Sequence, residues 1–142
     1  MSRIVSLRQA VARIPSGSTV AFGGFQLNRA PMALVRELIR QKKRRLRLLL
    51  LPNPLPLDFL VGAGAVASAE VAFAGLEIAR RAVVPPNWQA AVAGKKLRWR
   101  ERDALYLVQA LRAAAQGVPF LPLPLPLADI SLGGDVAWVR NP

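Results

Sequence analysis

The side chains of this sequence restrict its chemistry before any fold is considered. Its 142 residues include no histidine and no cysteine. Imidazole acid–base schemes, thiol nucleophiles, disulfides and Cys/His zinc sites are therefore excluded, and no metal site is expected. Carboxylates, arginines and backbone N–H groups remain, and the stretch "STVAFGGFQLNRAP", residues 18–31, is where a glycine turn and an arginine come together. Val20, Ala21 and Phe22 form a short apolar run suited to a buried strand. After Pro31, Leu34, Val35, Leu38 and Ile39 recur at helical spacing, so a helix starts there. Gly23 and Gly24 fall on the turn between the two. In an open α/β sheet that turn lies at the carboxyl end of a strand, where ligands bind. Glycines there let backbone N–H groups approach a phosphate, carboxylate or thioester oxygen. A Gly-Gly pair on its own is more often plain chain geometry.

The other acidic groups have simpler readings. Glu37 and Arg40 are helix neighbours three apart, which makes a surface ion pair. Asp103 precedes a strong helical pattern and reads as its cap. Glu101 sits just before that helix and, like Asp103, is read as structural; Glu77, after the third strand, is a possible functional acid with no support from its surroundings. Trp88 and Trp99 are read as packing residues rather than as platforms for an adenine ring.

Charge is lopsided, with 20 Lys and Arg against 8 Asp and Glu, a formal net charge of +12. The densest run, "RQKKRRLR" at 40–47, closes a helix, where cations complement the negative end of the dipole. Aromatic residues do not interleave with it as base stacking requires, so the pattern does not support nucleic-acid binding. The apolar segment 46–76 is interrupted by Pro52, Pro54, Pro56, Asp58 and Glu70. No spanning helix is expected from it. Arg3, Arg8 and Arg13 break up any secretory core at the N-terminus. The expectation is a cytoplasmic protein with no membrane association.

The remaining pattern supplies the elements. A first helix over 6–14 places Leu7, Ala10, Val11 and Ile14 on one face, with Ser6 as cap. Strands are expected near 19–22, 46–51, 69–75 and 96–103. The helix after Pro31 is expected to run to about Arg44. "PNPLPL" reads as a rigid turn before a short helix over 57–64. Pro85-Pro86 opens a helix stopped by Gly94, and the segment 104–117 is a helix capped by Asp103 and ended by Gly117. The proline-alternating segment 119–130 reads as an edge or polyproline-like stretch. Strands alternating with helices imply an open, mostly parallel sheet with helices on both faces, a Rossmann-like three-layer arrangement.

With those residues in view, "SGSTVAFGGFQLNRAP" resembles the glycine-rich signature of family I coenzyme A transferases, in their A (alpha) subunit. Gly17, the trio Val20 to Phe22, Gly23, Gly24, Phe25 and Pro31 match it. Ser16 replaces an acidic or amide residue, and Arg29 replaces a later glycine, as in the glutaconate CoA-transferase-like branch. "PMALVRELIRQ", "VGAGAV", "AEVAFAGLE", "PNWQAAV" and "ALRAAAQGVPFLP" are similar to successive blocks of an A subunit, in order. Residues 1–142 are thus expected to form a single A-subunit-like domain corresponding to the N-terminal half of that subunit.

The resemblance implies a function. In this family a glutamate attacks an acyl-CoA and becomes a glutamyl-CoA thioester, which passes CoA to an acceptor acid. In heteromeric members that glutamate belongs to the B subunit, so no catalytic residue is expected in this chain. Where some hydrolases of the superfamily use an A-subunit glutamate, the matching position here is Ala104. Gly23, Gly24 and Phe25 would line the cleft, with Gln26, Asn28 and Arg29 nearby, Arg29 offering its fork to an acceptor carboxylate. The expected partners are a B subunit, an acyl-CoA and a carboxylate, with coenzyme A as substrate and no permanently bound cofactor. Two other readings stand beside this one. One is a truncated, inactive homologue serving as a binding or scaffold module; the other is a basic nucleic-acid-binding domain.

Overall fold

The structure, a computed structural model, describes residues 4–123. Helix α1 (Leu7–Ala12) is followed by strand β1 (Thr19–Phe22), α2 (Met32–Arg40), β2 (Leu46–Leu50), α3 (Pro54–Gly62) and β3 (Val66–Val71). A hairpin of β4 (Leu76–Ile78) and β5 (Arg81–Val83) comes next, then α4 (Pro86–Ala93), β6 (Arg98–Glu101) and α5 (Ala104–Gln116). Ser6 begins α1 as expected: its hydroxyl accepts from the Gln9 N–H while its own N–H donates to the Gln9 side chain. That reciprocal pair is a capping box.

Strands β1, β2, β3 and β6 form one parallel sheet in that order. The chain steps in one direction across it, so right-handed crossovers set the intervening helices on a single face. Phe22, Leu46, Leu48, Leu50, Ala69 and Val71 point to that face and meet Val11, Val35, Leu38, Leu57, Leu60 and Trp88 from α1 to α4. Alternate residues point the other way. There Arg102 is 2% exposed, donates from Nε to the Glu70 carboxylate at 3.1 Å, and lies 4.9 Å over the Tyr106 ring. This anchors the start of α5 on the second face and gives the sheet helices on both sides.

The expected elements need three corrections. The third strand runs over 66–71 rather than 69–75, and a hairpin follows that the periodicity does not show. Its turn residues, Ala79 and Arg80, both have positive φ (49° and 62°) without the Asn-Gly chemistry that normally announces such a turn. Helix α3 begins inside "PNPLPL". Pro54 and Pro56 sit in its first turn, where backbone N–H groups have no intrahelical partner, so proline costs nothing there. Finally, α2 stops at Arg40. Lys43 N–H bonds to Leu38 C=O and Lys42 N–H to Ile39 C=O, with Lys42 at φ 53°. That is a Schellman end with lysine where glycine is usual, so its stop signal is silent. The proline-alternating segment lies largely outside the described residues.

The basic run after α2 closes helix ends. Lys43 Nζ bonds to Ala12 C=O at the end of α1, and Arg44 Nη1 to Ala63 C=O at the end of α3. Arg40 pairs with Glu37, which also accepts from Gln41 at 2.8 Å; the Gln41 amide reaches Arg8 C=O as well and so links α1 to α2. Helix α4 starts at Pro85-Pro86 with no cap of its own. Asp58 of α3 supplies one, accepting from Trp88 N–H at 2.9 Å and from the Asn87 amide at 2.8 Å.

Two stability predictions follow from these carboxylates. Asp58→Ala strands the buried Trp88 N–H and should lower unfolding free energy by about 1–3 kcal/mol in chemical denaturation. The Gln41 hydrogen bond, with Arg40, holds the Glu37 carboxyl below its ordinary value. Its folded pKa is thus lower than its unfolded one. The stability it contributes is complete above the unfolded value and lost as pH falls through the folded one. Glu37→Gln should therefore flatten the acid limb of a stability-against-pH curve and leave its shape at neutral pH unchanged.

Candidate functional site

The carboxyl ends of β1 and β2 are joined by one side chain. Asn53 lies three residues past the end of β2, is fully buried, and donates from Nδ2 to Gly23 C=O at 2.6 Å. Its Oδ1 is buried without a hydrogen-bond partner among the described residues. The two glycines of the turn have different reasons to be glycine. Gly24 has φ 113°, and a Cβ there would lie 2.7 Å from Asn53 Nδ2 and 2.9 Å from Arg29 C=O. It is closed to every other residue. At Gly23 a Cβ would meet nothing within 4 Å. That position is open, with room for a ligand against the backbone.

Beyond the glycines the chain makes a tight reversal. Phe25 N–H bonds to Asn28 C=O at 2.9 Å, and Asn28 N–H bonds back at 2.7 Å. Gln26 and Arg29 take left-handed conformations, with φ 53° and 57°. The reversal leaves Phe25 62% exposed and Leu27 49% exposed at its rim. Gln26 is a structural link here: its N–H bonds to Pro52 C=O at 2.6 Å and its Oε1 accepts from Glu77 N–H at 3.2 Å. Arg29 and Asn28 are exposed, and the Arg29 guanidinium makes no hydrogen bond or ion pair among the described residues. The six residues singled out in the sequence are thus on one loop. Gly23, Phe25, Asn28 and Arg29 present themselves outward, while Gly24 and Gln26 hold the loop's shape.

The Gln26–Glu77 bond ties this loop to the β4–β5 hairpin, which walls a cavity the sequence did not disclose. The cavity, about 260 Å³, lies beyond the carboxyl ends of β3 and β6. Val71, Phe73, Val83, Trp88 and Trp99 line it, and Glu101 contributes a carboxylate to its wall. Trp88 and Trp99 meet edge to face with centroids 5.3 Å apart and planes at 74°, a favourable aromatic geometry. Asp58 therefore does more than cap α4: it fixes Trp88 in the cavity wall. Reading these tryptophans as packing residues captured their contact and missed the space beside it, because the hairpin was not visible. Among the described residues no group of three or more acidic side chains could hold a metal ion. None of the helices there is long and apolar enough to cross a membrane.

Residues 4–128 match the coenzyme A transferase family. The chain belongs to that family. It is 35% identical over 132 residues to the cholesterol ring-cleaving hydrolase IpdA subunit of Rhodococcus jostii, covering 93% of this chain and 42% of that protein. It is 32% identical over 130 residues to the A subunit of glutaconate CoA-transferase from Acidaminococcus fermentans, covering 88% and 39%. The crystal structure of glutaconate coenzyme A-transferase from the same organism superposes with a TM-score of 0.70 at 28% identity, covering 86% of this chain and 38% of that one. The crystal structure of a variant of the decarboxylase AibA/AibB superposes with a TM-score of 0.82 at 49% identity, covering 92% and 48%. The chain spans less than half the length of each. The resemblance to an A subunit of the glutaconate-transferase branch, and the parallel α/β fold it implied, are both borne out.

The two glycines make a paired test. Gly24→Ala should fail to reach the native turn and lower the melting temperature by several degrees, because it adds a clash to a left-handed backbone. Gly23→Ala should melt like the parent, and any ligand affinity it loses reports the space in front of that residue.

Proposed function

We propose that this chain is the A-subunit-type part of a heteromeric CoA transferase, cytoplasmic and working with a B subunit that carries the nucleophilic glutamate. The observation that supports it best is the family turn itself. Gly24 is locked by packing, so Gly23 is held open at the carboxyl end of β1, where an α/β sheet binds its ligand.

In this reading the partner's carboxylate attacks the thioester carbonyl, giving an acyl–glutamyl anhydride and CoA thiolate. The thiolate then attacks the glutamyl carbonyl, which frees the acid and leaves a glutamyl-CoA thioester. An acceptor carboxylate reverses both steps. This chain contributes the walls. The open backbone at Gly23 faces the reacting group, and the exposed Arg29 guanidinium pairs with the acceptor carboxylate. Phe25 and Leu27 pack against the partner. The apolar cavity beside Trp88 and Trp99 takes the acyl group and keeps water from it.

A second reading has one observation behind it: the 49% identity to a decarboxylase structure exceeds the 28% to the transferase structure. There the same walls would hold an acyl-CoA that loses carbon dioxide instead of exchanging its thiol.

Borohydride trapping tests both readings. The chain alone, given acyl-CoA and then reductant, should show no reduced glutamate by mass spectrometry and no CoA transfer. Supplied with a B subunit, it should support transfer and place the reduced glutamate on that partner. Reduced Glu77 or Glu101 would make this chain a catalyst in its own right. Release of carbon dioxide without transfer would select the second reading, and inactivity with the partner would leave a scaffold.

A further inference from the structure

At the other end of the sheet lies a pocket that the transfer reading does not use. It occupies about 390 Å³ and is lined by Ser16, Gly17, Arg45, Arg47, Ala67 and Arg98. Its construction is specific. Gly17 N–H bonds to Arg44 C=O at 2.9 Å, Arg47 N–H to Ser18 C=O at 3.0 Å, and Arg44 N–H to the Ser16 hydroxyl oxygen at 3.0 Å. These bonds fasten the loop before β1 to the loop before β2. Both loops carry a left-handed residue at the pocket, Gly17 with φ 86° and Arg45 with φ 57°. On the floor, the register of β2 against β3 slips between Leu46 and Arg47, so that Ala67 is passed over. Such an irregularity locally bends a sheet and re-aims its side chains.

Arg47 and Arg98 both pair with Ser68 in the parallel ladders, so they share a face with β3 between them. Strand spacing sets their Cα atoms about 9–10 Å apart. Three guanidinium groups thus share one pocket, and no acid is among the described residues that line it. None of Arg45, Arg47 and Arg98 makes a side-chain hydrogen bond or ion pair among the described residues. The carboxylate on that face, Glu70, is engaged by Arg102. The Ser16 hydroxyl, an acceptor toward Arg44, still has its hydrogen to donate. Like charges gathered without a counter-charge repel one another, and an anion with several oxygens reverses that cost. Lys43 and Arg44 of the basic run close helix ends, whereas this trio has no such role among the described residues.

We propose that this pocket is an anion site for a phosphate group on a small molecule, a monoester or a pyrophosphate. It is separate from the acyl-CoA cleft at the carboxyl ends of the strands. Forked guanidinium groups bind two phosphate oxygens each, and the pocket has the size of a small-ligand site. A polynucleotide is the poorer fit, since no aromatic is among the described residues that line the pocket to stack a base.

Calorimetric titration of the full chain with inorganic pyrophosphate at fixed ionic strength tests this. Saturable binding is expected, weakened about tenfold or more by Arg47→Gln and by Arg98→Gln. Arg112→Gln, on an exposed face of α5, should bind like the parent. Because the side chains of Arg47 and Arg98 bond to nothing else described, both variants should melt close to the parent, which separates lost binding from lost folding. No heat above a chloride control would overturn the proposal, as would parent-like binding by both variants. So would a preference for single-stranded DNA that grows with its length.

Discussion

A single buried amide sets the geometry on which the candidate site rests. Asn53, fully buried, holds Gly23 C=O at 2.6 Å and so welds the chain leaving β1 to the chain leaving β2. Gly24 packs so closely against that amide that no side chain fits there. The loop from Phe25 to Asn28 is then aimed outward, and Gln26 carries the constraint on to β4. From there the hairpin walls the apolar cavity, which Trp88, seated by Asp58, also lines. The Oδ1 of Asn53 is buried with no hydrogen-bond partner among the described residues.

Much of this was legible in the residues. The apolar runs of β1 and β2 and the caps at Ser6, Asp103 and Gly117 are local signals, decided within a few residues. The glycine pair could be placed at a strand's end for the same reason. What was not legible depended on partners far away in sequence. Asn53 carries no sign that it serves Gly23, thirty positions earlier. Asp58 looks like an interruption of an apolar segment until α4 is packed beside it. The β4–β5 hairpin escaped because Ala79 and Arg80 take the left-handed turn that Asn and Gly normally announce. With the hairpin went the cavity. Arg102 likewise reads as one more surface base, yet it is buried between Glu70 and Tyr106.

The two ends of the sheet present different groups. At the carboxyl ends the exposed groups are mostly apolar or aromatic, with one carboxylate at the cavity wall. At the amino ends they are arginines. The relatives named above include a ring-cleaving hydrolase, a decarboxylase and a CoA transferase. A scaffold shared by such different reactions cannot itself specify one. What this half of the scaffold supplies is a fixed turn, an open backbone position and an apolar wall. In the proposed reading, the reaction depends on the groups brought against them.

Amide hydrogen exchange on the chain in its assembled complex, with and without an acyl-CoA, tests the central claim most directly. Slowed exchange is predicted in peptides covering 22–29 and 72–84, with α1 unchanged. Exchange that is unaltered at 22–29, or protection confined to the amino ends of the strands, would contradict the placement of the acyl-CoA site at the Gly23–Gly24 turn.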